Sequence, residues 1–94
     1  MSARFPLGRI VATTSALAAL DAYGASPGRL LARHQRGDWG DLDAYDRREN
    51  ELSVRHGYRI LSSYEINPRG ASLKVWIITE ADRSSTCLLL PEEY

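Results

Sequence analysis

The hydrophobic period of this chain changes once, at Tyr58. Before that point apolar residues recur at three- and four-residue spacing, as on one face of a helix, and after it they alternate, as on a half-buried strand. A short β-branched run, Ile10–Val11 in GRIVATT, precedes the helical part and reads as a strand. Thr13, Thr14 and Ser15 then offer N-caps for ALAALDAY, where Leu17, Leu20 and Ala16 share a face and Gly24 stands where a helix end needs positive φ. SPGRLLARHQRG repeats the grammar with Ser26 as N-cap, Pro27 at the first helical position, Arg33 and Arg36 near the C-terminus, and Gly37. A third helix is predicted over residues 43–56, entered through Asp43 and left at Gly57. Its apolar candidates are only Tyr45, Leu52 and Val54, so most of its circumference is expected to be solvated or paired.

In the second half, YRILSSYEI sets Tyr58, Ile60, Ser62, Tyr64 and Ile66 against Arg59, Leu61, Ser63 and Glu65, and NPRG turns the chain. ASLKVWIITE sets Leu73, Val75, Ile77 and Thr79 against Lys74, Trp76, Ile78 and Glu80, and ADRSS turns it again into TCLLLP. The expectation is a three-stranded antiparallel meander, with the first strand free to add an edge. The order β-α-α-α-β-β-β, with helices and strands segregated, predicts an α+β fold whose helices pack on one face of that meander sheet. With 94 residues, the whole chain, 1–94, is expected to form one domain.

Composition narrows the chemistry. Twelve Lys and Arg balance twelve Asp and Glu, which leaves no global field to draw the chain onto nucleic acid or anionic lipid. Cys87 is the only cysteine and lies in the apolar run TCLLL, so it is expected to pack as a small hydrophobe. MSARFPLGRIVA lacks the apolar stretch of a signal peptide, and no segment approaches a membrane span, so a cytoplasmic location away from membranes is expected. Walker loops, G-x-G-x-x-G, HExxH and paired CxxC motifs are all missing, and the Asp38, Asp41, Asp43, Asp46 series lacks the glycine and terminal glutamate of a calcium loop. Neither a metal nor a cofactor is expected.

HQRGDWGD reads first as punctuation. Gly37 stops a helix, Trp39 is an apolar anchor that buries to fix the loop, and Gly40 releases the chain towards the third helix. Asp38 or Asp41 can cap free N–H groups, and His34 can hydrogen-bond at the helix end. A chemical reading joins His34 to Glu80 and Arg83, beside Thr79 and Thr86 at the second hairpin. A carboxylate or histidine would take a 2′-hydroxyl proton, arginine would stabilise the phosphorane, and the other group would protonate the leaving oxygen. Such a chain would be a compact metal-independent ribonuclease or toxin acting on RNA. Against it stands an interaction protein whose third helix presents Asp46, Arg47, Asn50, Glu51 and Arg55 for electrostatic docking to a host or element-encoded protein or nucleoprotein.

At GRIVATTSALAAL, ARHQRGDWGDLDAYDRREN, RILSSY and VWIITEADRSSTCLLLPEEY, nearly the whole chain resembles a family of short bacterial proteins described as plasmid-related or hypothetical. Its pattern falls here on His34, Gly37, Asp38, Trp39, Gly40, Asp46, Asn50, Ser62 or Ser63, Tyr64, Thr79, Glu80, Asp82, Arg83, Thr86, Pro91, Glu93 and Tyr94. The resemblance implies a mobile genetic element as the source, and hence a role in plasmid maintenance, toxin biology or countering host defence. The layout is also loosely similar to the barnase, colicin and RelE-like nucleases, an analogy of fold alone.

Overall fold

The computed structural model describes residues 3–67 and 70–94, so the turn expected at NPRG falls partly, at Pro68 and Arg69, outside the described residues. The elements follow in the order β1 (Arg9–Ala12), α1 (Thr14–Ala22), α2 (Pro27–Gln35), α3 (Ala44–His56), β2 (Ile60–Ile66), β3 (Leu73–Thr79) and β4 (Ser85–Leu89), with a closing 3-10 turn over Pro91–Glu93. Each helix starts on a side chain that accepts from an orphan N–H: Thr13 from Ala16, Ser26 from Arg29 and Asp43 from Asp46. Gly57 closes α3 in the left-handed conformation, at φ 78°.

The α+β class is as expected, but the sheet is not a pure meander. Its strand order is β1-β4-β3-β2; β2–β3 and β3–β4 are antiparallel, whereas β1 lies parallel to β4. A parallel neighbour requires a long crossover rather than a hairpin, and everything from α1 to β3 supplies it. The sheet is therefore mixed, with β1 at one edge and β2 at the other.

Alternation gives the sheet two unlike faces. Registers align Tyr64 with Val75, Ser62 with Ile77, and Ile77 with Leu88 on the inner face. There Leu20 of α1 and Leu30 of α2 join Tyr64, Val75, Ile77 and Leu88 in the main core. A second cluster of Phe5, Trp39 and Ile60, with Val54 of α3 against it, fills the end of the same face. The outer face carries the row Leu61, Ile78, Cys87, Val11 and the neighbouring Trp76 and Leu89. Among these, Ile78 and Leu89 are buried, whereas Val11 is 39% exposed.

Among the described residues, no helix is long and apolar enough to cross a membrane, and no group of three His, Cys, Asp or Glu side chains comes together to hold a metal ion.

Candidate functional site

His34 lies on the last turn of α2, one turn beyond Leu30, so it points into the core with no solvent exposure. The rings of Phe5 and Trp39 meet it edge-on at 5.2 and 6.1 Å. Its Nδ1 lies 2.6 Å from Ser62 Oγ and its Nε2 2.8 Å from Thr79 Oγ1, both inward positions of the sheet. Thr79 Oγ1 is in turn 2.8 Å from Thr86 Oγ1, which donates to the carbonyl of Leu7 at 2.7 Å. That last bond orders the whole chain, because a carbonyl only accepts. Thr86 gives its proton to Leu7, so Thr79 donates to Thr86, His34 Nε2–H donates to Thr79, and Ser62 donates to Nδ1. Burial pushes the imidazole down to about 4, and the ring is neutral at pH 7. A serine hydroxyl on a histidine has the form of an activated nucleophile, yet both residues are sealed from any substrate.

Arg83 occupies a left-handed backbone position, φ 61°, in the β3–β4 turn. Its guanidinium donates to the carbonyls of Tyr58 at 2.7 Å and Ser53 at 2.8 Å, and more loosely to those of Glu80 and Ala81. It ties the end of α3 to the hairpin, sharing the Ser53 carbonyl with the N–H groups of Gly57 and Tyr58. Glu80 turns the other way, to within 3.9 Å of Arg59, about half-exposed. His34, Glu80 and Arg83 are thus placed separately: the histidine inside the core, the arginine against carbonyls, the glutamate in solvent beside Arg59.

Helix α3 is fastened by polar contacts rather than by an apolar stripe. Asn50 is buried, and its amide bonds both backbone groups of Leu61, donating to O at 2.6 Å and accepting from N at 3.1 Å. Arg47 donates to the carbonyls of Gly40 and Leu42 at 2.6 and 2.8 Å. Glu51 takes two bonds from Arg4, at 2.9 and 2.7 Å, and one from the Trp39 indole at 3.0 Å. Three of the side chains expected to face a partner therefore bind the chain itself. Asp46 and Arg55 remain on the exposed face, next to Tyr45 and Leu52, whose exposures of 64% and 39% place two of the helix's three apolar candidates outside the core.

The GDWG stretch is the other half of this seam. Trp39 is 2% exposed, as its role as an anchor requires. Its carbonyl accepts from Ser63 N–H at 3.2 Å, while Asp41 N–H donates to Ser63 O at 2.7 Å. Gly40 makes that approach possible: it sits at φ 78°, and a β-carbon there would overlap the Ser63 carbonyl. Arg33 pairs with Asp38 at 2.7 Å and lies over the Tyr64 ring at 4.5 Å, and Tyr64 donates its hydroxyl to the Asp38 carbonyl at 2.6 Å. Arg33 holds the Asp38 carboxyl below its ordinary range, and Arg4 does the same for Glu51.

The open constellation lies on the outer face. The 3-10 turn rests against β3 and brings Tyr94 to 5.8 Å from Trp76, ring edge to face. Arg59 lies 5.4 Å over the Tyr94 ring and donates to its hydroxyl at 2.8 Å. Arg59, Ile60, Leu61, Trp76, Ile78 and Tyr94 line a hollow of about 270 Å³. Arg59 and Glu80 stand at one end of this apolar field, and the register pair Glu65 and Lys74 at the other. Sequence reasoning passed over this hollow, although alternation had already put Leu61, Trp76 and Ile78 together opposite the inner face.

Comparison with protein-family models, curated proteins and solved structures found no match to this chain.

Proposed function

We propose that this chain is a non-enzymatic interaction protein, and that it binds its protein partner through the outer face of the sheet. The observation that supports this most directly is the hollow between Trp76 and Tyr94, whose Leu61, Trp76 and Ile78 belong to neither core cluster. A field of that composition, with an aromatic pair at its centre and charges at its ends, has the anatomy of a protein-binding surface. A partner's apolar side chain would fill the hollow, and Arg59 and Glu80 would orient it. The mobile-element setting remains the expectation from sequence resemblance.

The ribonuclease reading has no comparable support. Of its three groups, the histidine is out of reach and the arginine is bound by backbone carbonyls. The test is affinity capture with the wild type and with Trp76→Ala. Loss of the captured protein in a variant that stays folded supports the outer face. Equal capture by both moves the binding surface elsewhere, and RNA cleavage abolished by Glu80→Gln would restore the enzyme.

A further inference from the structure

The two edges of the sheet are finished differently. At β2, the outward groups of Leu61 are bonded by the Asn50 amide and those of Ser63 by Trp39 and Asp41. At β1, Arg9 N–H donates to Ser84 O and Thr13 N–H to Leu88 O, so Arg9, Val11 and Thr13 turn towards β4. By alternation Ile10 and Ala12 direct their N–H and C=O groups to the outer edge, where none of the described residues bonds them. That edge is also apolar at its side chains: Ile10 and Val11 are 51% and 39% exposed, and Leu17 on the following helix is 46% exposed. An open edge of this kind is a template for another strand.

We infer that β1 pairs with β1 of a second copy, antiparallel about a two-fold axis at Val11, joining the two sheets into one. This register satisfies the free groups without remainder. Ile10 of each chain faces Ala12 of the other, and each such pair exchanges both of its outward hydrogen bonds. Val11 meets Val11 of the second copy as a non-hydrogen-bonded pair, continuing the row Leu61, Ile78, Cys87, Val11 across the axis. Charge agrees with the register. Exposed Arg9 faces not another arginine but Thr13, whose hydroxyl donates to Glu93 Oε1 at 2.7 Å, so each Arg9 gains a carboxylate across the seam. The β2 edge is capped at Leu61 and Ser63, which leaves only Glu65 of that strand outward, too little for a second strand to pair with, so assembly stops at the dimer instead of propagating. This inference is independent of the partner proposed for the outer face.

Light scattering on the eluted full chain, from micromolar to about 100 µM, tests it. The expected mass at the upper end is twice the 10.5 kDa of the chain. Ile10→Pro removes only an outward N–H, which an edge strand tolerates, and should weaken dimerisation at least about tenfold with the fold retained by circular dichroism. Val11→Cys, in a Cys87→Ser background, gives a readout that needs no proline. Cysteines in a non-hydrogen-bonded antiparallel pair are within disulfide reach, so mild oxidation should yield a covalent dimer at low protein concentration. A wild type that remains monomeric throughout, or a Val11→Cys variant that does not cross-link, overturns the inference, whether or not an extended peptide of another protein binds the edge.

Discussion

On the inner face of the sheet, buried polar side chains are answered by other groups of the same chain; on the outer face, apolar side chains are left around an open hollow. Inside, Ser62, Thr79 and Thr86 interrupt an apolar stripe, and His34 and the Leu7 carbonyl complete their bonds, so that among the described residues no buried side-chain polar atom lacks a partner. Outside, Leu61 and Trp76 are partly exposed, and Tyr94 leans over them at 69% exposure. The difference teaches where to look for function. A buried, saturated network makes one arrangement of α2, β2, β3 and β4 preferable to others but offers nothing to a ligand. A face whose rim side chains, Leu61, Trp76 and Tyr94, stay partly or largely exposed can change or bind there without unfolding the domain.

The largest expected effect falls on the inner side. Trp39→Ala removes a buried ring that touches the second core cluster and orphans a bond to Glu51, and it should cost about 3–5 kcal/mol in urea unfolding. A loss below about 1 kcal/mol would mean that the loop tolerates an empty core and that the two faces are not as unlike as their burial indicates.

The next effect is a pH dependence. Burial lowers His34 from 6.5 to about 4 in the folded chain, so the unfolded chain takes up the proton first as pH falls. Stability due to the neutral ring is complete above about pH 6.5 and is lost between there and about pH 4, amounting to roughly 3 kcal/mol at 1.36 kcal/mol per pH unit. Unfolding midpoints measured at pH 7 and pH 4.5 should show it, and His34→Gln should flatten the slope in that window. The stability held by the lowered carboxyls of Asp38 and Glu51 is lost further down, starting near their ordinary values of 3.8 and 4.5, so it overlaps the histidine's only at the foot of that window. An unchanged slope in His34→Gln would place the titration elsewhere.

These residues also show what the sequence made legible. Helix starts at Ser26 and Asp43 were readable, and the first was narrowed to Thr13, Thr14 or Ser15, because a cap is a contact between residues three apart. Alternation from Ile60 onward was readable for the same local reason. The parallel pairing of β1 with β4 was not: nothing in the short run Arg9–Ala12 encodes a neighbour more than seventy positions away. The His34 relay was half visible. Polar Ser62 and Thr79 on an otherwise apolar stripe signal an inward partner, and His34, four residues after Leu30, is the polar residue on the facing helix stripe. The sequence reading instead joined His34 to Glu80, which follows Thr79 in sequence but turns its side chain the other way, towards Arg59. For α3, the thin apolar face is legible in the sequence, but the same polar residues that suggest a partner, Arg47, Asn50 and Glu51, bind this chain.

A smaller effect separates the edge seam from the faces. Asn50→Ala deletes both bonds to Leu61, and with two backbone groups left unpaired at a part-buried site the loss should be about 2 kcal/mol. Hydrogen exchange should then quicken at Leu61 while Ile77, in the centre of the sheet, keeps its protection. Uniform acceleration across the sheet would show instead that α3 is integral to the core rather than fastened to its edge.

The smallest expected effect on stability is also the sharpest test of the contrast between the faces. Tyr94 contributes a ring edge to Trp76 and a hydroxyl to Arg59, but both contacts lie at the surface. Truncation there should stay within about 0.5 kcal/mol, as exposed substitutions usually do. Under the proposed function the same truncation opens the hollow and removes an aromatic wall from the binding surface. Tyr94→Ala should therefore leave the unfolding midpoint where it was, shift the emission of the half-buried Trp76 to the red, and weaken partner binding about tenfold or more. If the midpoint falls by several kcal/mol, the 3-10 turn belongs to the folding core and the outer face is covered rather than open. If stability and binding are both unchanged while Trp76 still reports the loss of its neighbour, the hollow exists but the partner does not use it.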